Sequence, residues 1–186
     1  MAPSNVRAVR GTHQEVYDAI RSLRVSRVFR PDPVPRDVLE AILDAGRWTG
    51  SSKNRQGWAF IVIDDDAGRE RLASAGSFAT PIRQATVAVA LVRTAEGNDF
   101  DIGRVAQNLM LAAASLGVGS CPVTLHDSPR AREVTGIPSD AECRYAITLG
   151  FVDPPGEAAQ RSTRRSQGFS GRKPLDEVVH WGVWGG

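Results

Sequence analysis

Arginine is the residue type best placed to do chemistry in this sequence, and it gathers near the two ends of the chain. Arg21, Arg24, Arg27 and Arg30 form one group; Arg161, Arg164, Arg165 and Arg172 form the other. The only lysines are Lys53 and Lys173. A guanidinium presents a planar fork of donors that grips phosphate oxygens two at a time. For any one arginine the competing reading is a solvated surface charge. Between the groups lies the stretch 49–57, Thr-Gly-Ser-Ser-Lys-Asn-Arg-Gln-Gly, small and polar throughout. Its amide and hydroxyl side chains can both donate and accept hydrogen bonds.

What is missing narrows the chemistry. There is no G-x-S-x-G, no P-loop, no kinase signature and no G-x-G-x-x-G after a strand. Gly117-Val118-Gly119 follows a helical pattern and reads as its stop. His13, His126, His180, Cys121 and Cys143 show no metal-ligand spacing, so no metal site is expected. A nucleophile pair of Cys121 and His126 lacks an evident third group to orient it. With no side-chain catalyst in view, phosphate-type arginines and a polar loop point to a bound cofactor that brings its own reactivity.

The elements that must position these residues can be read from pattern. Thr12-His13-Gln14-Glu15 fits a capping box, opening a helix with Val16, Ile20 and Leu23 on its apolar face. Pro31, Pro33 and Pro35 break the chain, and Val38, Leu39, Ile42, Leu43 and Ala45 predict a second helix ending near Gly46 to Trp48. The run 58–63 (WAFIVI) predicts a strand, and 64–66 a cap for a short helix through Leu72. Residues 86–92 predict a buried strand, and 101–116 the strongest helix, with Ala112 to Ala114 small enough for close packing. Asp127-Ser128-Pro129 opens a short helix that Gly136 closes; 143–151 is a third strand, ended at Pro154-Pro155-Gly156. Residues 156–173 have no apolar period and by themselves read as a disordered linker. The tail beyond carries Trp181 and Trp184, which call for a surface to pack on. Irregular alternation of strands and helices predicts a three-layer mixed α/β or α+β domain.

A chain of 186 residues fits one domain, here 1–186. No apolar run approaches the roughly 20 residues of a membrane-spanning helix, and the N-terminus lacks a secretory core, so a cytoplasmic location is expected. Two cysteines are too few for a disulfide framework. A net charge of +2, with only Phe169 among the C-terminal arginines, argues against a nucleic-acid partner.

Four segments in series carry a resemblance. Arg24-x-x-Arg27-x-Phe29 with Pro33-Val34-Pro35 and V-L-E-A-I-L-D-A-G is similar to the opening of the nitroreductase family. Gly50-Ser51-Ser52-Lys53-Asn54-Arg55-Gln56-Gly57-Trp58 resembles that family's P-S-x-x-N-x-Q-P-W loop. DIGRVAQNLMLAAASLGVGSCPV resembles its D-x-x-x-A-x-Q-N-L helix, and YAITLGF with RKPLDEVVH its closing strand and tail. The likeness runs from about 16 to 180.

The resemblance implies an α+β fold: a three-layer α/β/α sandwich around a mainly antiparallel sheet, in an intertwined homodimer with 156–186 as an arm reaching the partner. It implies flavin mononucleotide (FMN) as cofactor, with NADPH or NADH as electron donor. Arg24, Val25 and Arg27 would meet the phosphate, joined by Arg172 or Lys173. Ser51, Ser52, Asn54 and Gln56 would contact the flavin, and Pro122, Val123 and Thr124 would lie along its ring. Hydride would pass to nitroaromatics, quinones or similar small acceptors by a ping-pong mechanism, with no catalytic side chain. An FMN-dependent dehydrogenase of a biosynthetic intermediate and a non-catalytic flavin carrier or sensor are the alternatives, and a deazaflavin stays open. The sequence departs from the family where Leu23 and Val25 replace an arginine and a serine, and where Gly50 and Gly57 replace prolines, which would loosen the loop. Lys53 is unusual and would place an ammonium near the flavin's pyrimidine edge.

Overall fold

A computed structural model describes residues 13–169 and 171–185. In chain order the main elements are α1 (His13–Ser22), α2 (Arg36–Arg47), β1 (Trp58–Ile63), α3 (Asp66–Ala73), α4 (Thr80–Gln84), β2 (Val87–Arg93), α5 (Asp99–Ser115), β3 (Gly119–Thr124), α6 (Ser128–Thr135), β4 (Glu142–Gly150) and α7 (Pro154–Ser166). They fall into two compact units, one up to Asp153 and one from Pro154 onward. Thr12 of the expected capping box lies outside the described residues.

The first unit is built on a sheet of order β1-β2-β4-β3, with every neighbouring pair antiparallel. Side chains alternate across a strand, so each face receives its own set. Val87, Val89, Leu91, Ile147 and Leu149 pack with Leu39 and Ile42 of α2 and with Ile102, Val105 and Leu109 of α5. Ala88, Ala90, Cys121, Val123 and Ala146 pack on the other face with Leu72 of α3, Ile82 of α4 and Ala131 of α6. The result is the expected α+β sandwich of helix, antiparallel sheet and helix. The large residues face α2 and α5; the small ones let α3, α4 and α6 lie close. The α2–α5 crossing is tightest at Gly46, where a Cβ would stand 2.6 Å from the Leu109 side chain.

Local signals hold where a side chain can cap its own helix. Asp65 accepts from the Gly68 amide, Asn98 from Asp101, and Asp127 from Arg130, while Gly136 closes α6 at φ 67°. The structure corrects the expectation in three places. Residues 119–124, for which no element was expected, form a strand, and Pro122 is tolerated because β3 is an outer strand of the sheet. The short α4, opened by Pro81, was not expected. The presumed linker starts with α7: the two prolines fit a helix's first turn, and Glu157 pairs with Arg161 one turn on.

In the second unit, the Arg164 guanidinium stacks over Phe169, and His180 meets Trp184 with ring centroids 4.4 Å apart. Trp181 and Trp184 are nonetheless exposed within the single chain. So are Val16, Tyr17 and Ile20 of α1; of that apolar face only Leu23 packs on the core. Among the described residues no helix is long and apolar enough to cross a membrane.

Candidate cofactor site

The polar loop 49–57 is held at both ends by the scaffold. Thr49 is buried, and its Oγ1 accepts from Asn108 Nδ2 at 2.8 Å. Arg104, one turn earlier on α5, donates to the Gly50 carbonyl at 2.7 Å and pairs with the buried Asp101 carboxylate at 3.3 Å. At the far end, a Cβ on Gly57 would lie 2.4 Å from the backbone of Gly97, and Thr94 N–H donates to the Gly57 carbonyl. Gly57 therefore marks a close approach of two backbones and ties the loop down, where its replacement of proline was expected to loosen it.

Between these anchors the chain takes an unusual path. A 3-10 turn spans Ser52–Asn54, and Lys53, Asn54 and Gln56 adopt left-handed φ angles of 53°, 53° and 49°. Each costs on the order of 1 kcal/mol or more for a residue with a Cβ. Ser51 supports the turn, accepting from the Gln56 amide through Oγ and from the Asn54 amide through its carbonyl. Ser52, Lys53, Asn54 and Gln56 are left exposed around it. Strained backbone concentrated in one polar segment is characteristic of a binding site.

The N-terminal arginines are positioned by a different device. Val25 forms a parallel bridge with Ser120 of β3, and the buried Ser26 donates its amide to the Ser120 carbonyl at 2.9 Å. Phe29 bridges Val152. The segment 25–29 thus borders the outer edge of β3 and sets Arg24 and Arg27 alongside it. Arg24 is exposed; it donates to the Arg21 and Leu23 carbonyls and has no carboxylate partner among the described residues. Along β3, Pro122 and Thr124 are exposed while Cys121 and Val123 point into the core. Cys121 is thus closed off in the core, whereas His126 is exposed and its Nδ1 accepts from the Ser77 amide at 3.3 Å. Burial pushes the thiol of Cys143, the other core cysteine, from its ordinary 9.0 up to about 12.

The expected residues therefore fall into sets. Ser51, Ser52, Asn54 and Gln56 precede β1 at one edge of the sheet; Arg24, Val25, Arg27, Pro122, Val123 and Thr124 border β3 at the opposite edge. Three strand spacings separate those edges, about 14 Å. Arg172 and Lys173 belong to the second unit, where both are exposed and Arg172 donates to the Gly171 carbonyl. Sequence reasoning missed the anchors Thr49, Gly97, Arg104 and Asn108. A signal existed: Arg104 and Asn108 are four apart, hence on one helix face, and both are polar beside an otherwise apolar helix stripe.

The chain matches the nitroreductase family over residues 20–95 and 82–151, well over half its length. It belongs to the nitroreductase family. An NADH dehydrogenase of Thermus thermophilus is 26% identical to it over 199 residues, covering 85% of this chain and 91% of the relative. A chloronitrobenzene nitroreductase of Comamonas testosteroni is 40% identical over 60 residues, covering 32% of this chain and 26% of the relative. The fold matches an FMN-dependent nitroreductase of Clostridium difficile R20291 with a TM-score of 0.73 at 22% identity, covering 90% and 99% of the two chains. It also matches nitroreductase A of Vibrio parahaemolyticus with a TM-score of 0.76 at 23% identity, covering 90% and 75%. The family expected from the four sequence segments, and its sandwich fold, are thus those of this chain. With them stands the class the resemblance implied, an oxidoreductase working through FMN.

The residues present fit such a group. Arg24 offers a guanidinium with no acid to neutralise it among the described residues, as a phosphate requires. The nitroreductase loop offers exposed amides and a hydroxyl on a backbone held in shape, as a heterocycle edge requires. Among the described residues no three His, Cys, Asp or Glu side chains are placed to hold a metal ion.

Proposed function

We propose that this nitroreductase is a cytoplasmic FMN-dependent oxidoreductase that transfers hydride from NADPH or NADH to nitroaromatics, quinones or similar electron-poor acceptors. The observation that carries the reading is the 51–56 loop, three left-handed residues presenting polar side chains on a backbone anchored at both ends. Bound FMN would supply the redox chemistry, hydride transfer between nicotinamide and acceptor in a ping-pong sequence. The chain's own part is to bind and orient. Arg24 and Arg27, with Arg172 or Lys173, would grip the phosphate; Ser51, Ser52, Asn54 and Gln56 would hold the ring edge; Pro122, Val123 and Thr124 would lie along the ring, Val123 through its backbone because its side chain is buried. No side chain need act as acid or base, since both reactants enter the same place and solvent exchanges protons between them.

The working unit is a homodimer. Two sets of binding residues at opposite edges of one sheet complete a single site when the β1-edge loop of one copy meets the β3 edge of another. Exposed Val16, Tyr17 and Ile20 of α1, Phe100 in the first turn of α5 and Leu116 just past its end offer apolar surface for that contact. The arm 156–186 reaches the partner, whose surface covers Trp181 and Trp184.

A visible spectrum of the purified protein, with anaerobic additions of NADPH and NADH, tests the reading. The expected result is a flavin spectrum that bleaches with at least one donor. A protein that stays colourless after FMN is added refutes it; a flavin that neither donor bleaches leaves a carrier.

A further inference from the structure

Asp101 is buried, yet no step of the proposed chemistry uses its carboxylate. It lies in the first turn of α5, where the helix dipole favours negative charge. Both of its oxygens are engaged. Oδ2 accepts from Asn98 Nδ2 at 2.8 Å, and Oδ1 from Arg104 Nη1 at 3.3 Å, one turn further on. The Asp101 amide donates in return to Asn98 Oδ1 at 2.9 Å. A buried carboxylate is costly unless it is paired and hydrogen-bonded. Asp101 therefore holds Arg104 to one direction.

That direction is the cofactor loop. The same Arg104 Nη1 donates to the Gly50 carbonyl at 2.7 Å. The Phe100 ring, its centroid 5.7 Å from the guanidinium carbon, stands on a further side. Arg104 is half-exposed, and an ion pair so open to water adds little stability by itself. Its effect is on placement.

Gly50 is the residue it places. The Gly50 backbone is not left-handed, and its amide donates to no acceptor among the described residues. A Cβ there would meet only Arg104 Nη2, 3.3 Å away. Nothing at 50 calls for glycine, in contrast to Gly57, where a Cβ would strike the Gly97 backbone. Glycine nonetheless leaves the chain free to turn just before Ser51, and a loop that turns freely must be ordered when a ligand binds. The Arg104 hydrogen bond takes up that freedom.

We propose that Asp101 and Arg104 are positioning residues for the cofactor loop: Asp101 aims the Arg104 guanidinium at the Gly50 carbonyl, and this clamp supplies the stiffness that glycine lacks at the loop's entry. The assignment rests on the functional reading above, in which Ser51, Ser52, Asn54 and Gln56 hold FMN.

The test is run on the FMN-loaded protein. Each form is diluted, and the return of free-flavin fluorescence gives its dissociation constant for FMN. Arg104→Gln should weaken binding roughly fivefold to tenfold, the loss of one charge-assisted hydrogen bond. Asp101→Asn should weaken it similarly, and the double variant by no more than about twofold beyond Arg104→Gln, since both changes open the same clamp. Gly50→Ala, which stiffens the backbone without restoring the ion pair, should recover about threefold in the Arg104→Gln background. The visible circular dichroism of the bound flavin, which reports how the ring is held, should change in Arg104→Gln and return with Gly50→Ala. Wild-type affinity in Arg104→Gln, fully additive losses, or no recovery with Gly50→Ala would overturn this role alone. Should Asp101→Asn not fold, the Arg104 and Gly50 variants decide. A wild-type protein that takes up no FMN overturns the functional reading and this role with it.

Discussion

Lys53 is the residue on which the loop's strain acts most directly. Its φ of 53° turns an exposed ammonium out of the 3-10 turn, between Ser52 and Asn54. A lysine head usually stays in water, and no acid pairs with this one among the described residues. Beside a bound flavin it would favour negative charge at the ring's pyrimidine edge. Replacing Lys53 by Ala should lower the midpoint potential of the bound FMN by roughly 30 mV, the two-electron equivalent of about 1.4 kcal/mol. Spectroelectrochemical titration of wild type and variant measures it, and equal potentials would place the ammonium in solvent. The residue type and its place in the motif are visible in the sequence. Its left-handed backbone is not, because nothing local in Ser-Lys-Asn favours it over an ordinary turn; the anchors at Thr49 and Gly57 impose it.

At the scale of elements, the loop depends on α5. Asn108 reaches Thr49 and Arg104 reaches Gly50 across 59 and 54 residues of sequence. Asn108→Ala removes one half-buried hydrogen bond and leaves the buried Thr49 hydroxyl without its donor, a cost of about 1–2 kcal/mol. We expect weaker FMN binding, by a factor of roughly 5 to 30, with thermal stability lowered by only a few degrees. Fluorescence titration of the apoprotein with FMN reads the first and a melting curve the second. Unchanged affinity would show that Gly57 and Arg104 hold the loop without Asn108. The helix itself was legible from its three- and four-residue apolar steps. β3 was not, because Gly-Ser-Cys-Pro-Val-Thr has neither strand composition nor a clear alternation. It becomes a strand by pairing with β4 from Tyr145 to Gly150. The converse holds at 156–166, which has no apolar period yet lies in a helix, α7.

The molecule as a whole carries a pH dependence from its core. Cys143 is buried beneath the α3, α4 and α6 layer, and burial raises its thiol from 9.0 to about 12. Above pH 9 the unfolded chain loses this proton while the folded chain keeps it, so unfolding becomes progressively favoured. The stability that Cys143 contributes is full below about pH 9 and is lost as pH rises toward about 12. Denaturant unfolding between pH 8 and pH 10.5 should therefore show a steeper decline for wild type than for Cys143→Ala, although the variant starts lower because it leaves a small cavity. Parallel declines would mean the thiol ionises as readily inside as outside. Also at this scale lies the division of the proposed binding residues between the two edges of the sheet. Sequence order puts 24–27, 51–56 and 122–124 in one list; strand order separates them.

Taken alone, the sequence determined the family, the α+β sandwich and most of its helices. These are properties of local pattern: apolar period, cap chemistry and residue type act over a few neighbours and survive in one dimension. The tertiary structure decided which of the proposed binding residues share an edge, where backbone strain is stored, that 119–124 is a strand, and that His126 accepts from the Ser77 amide. Each of these depends on contacts between segments far apart in the chain, such as Ser77 against His126 or Thr49 against Asn108. Their free energies are small, specific and non-local, so no stretch of sequence records them.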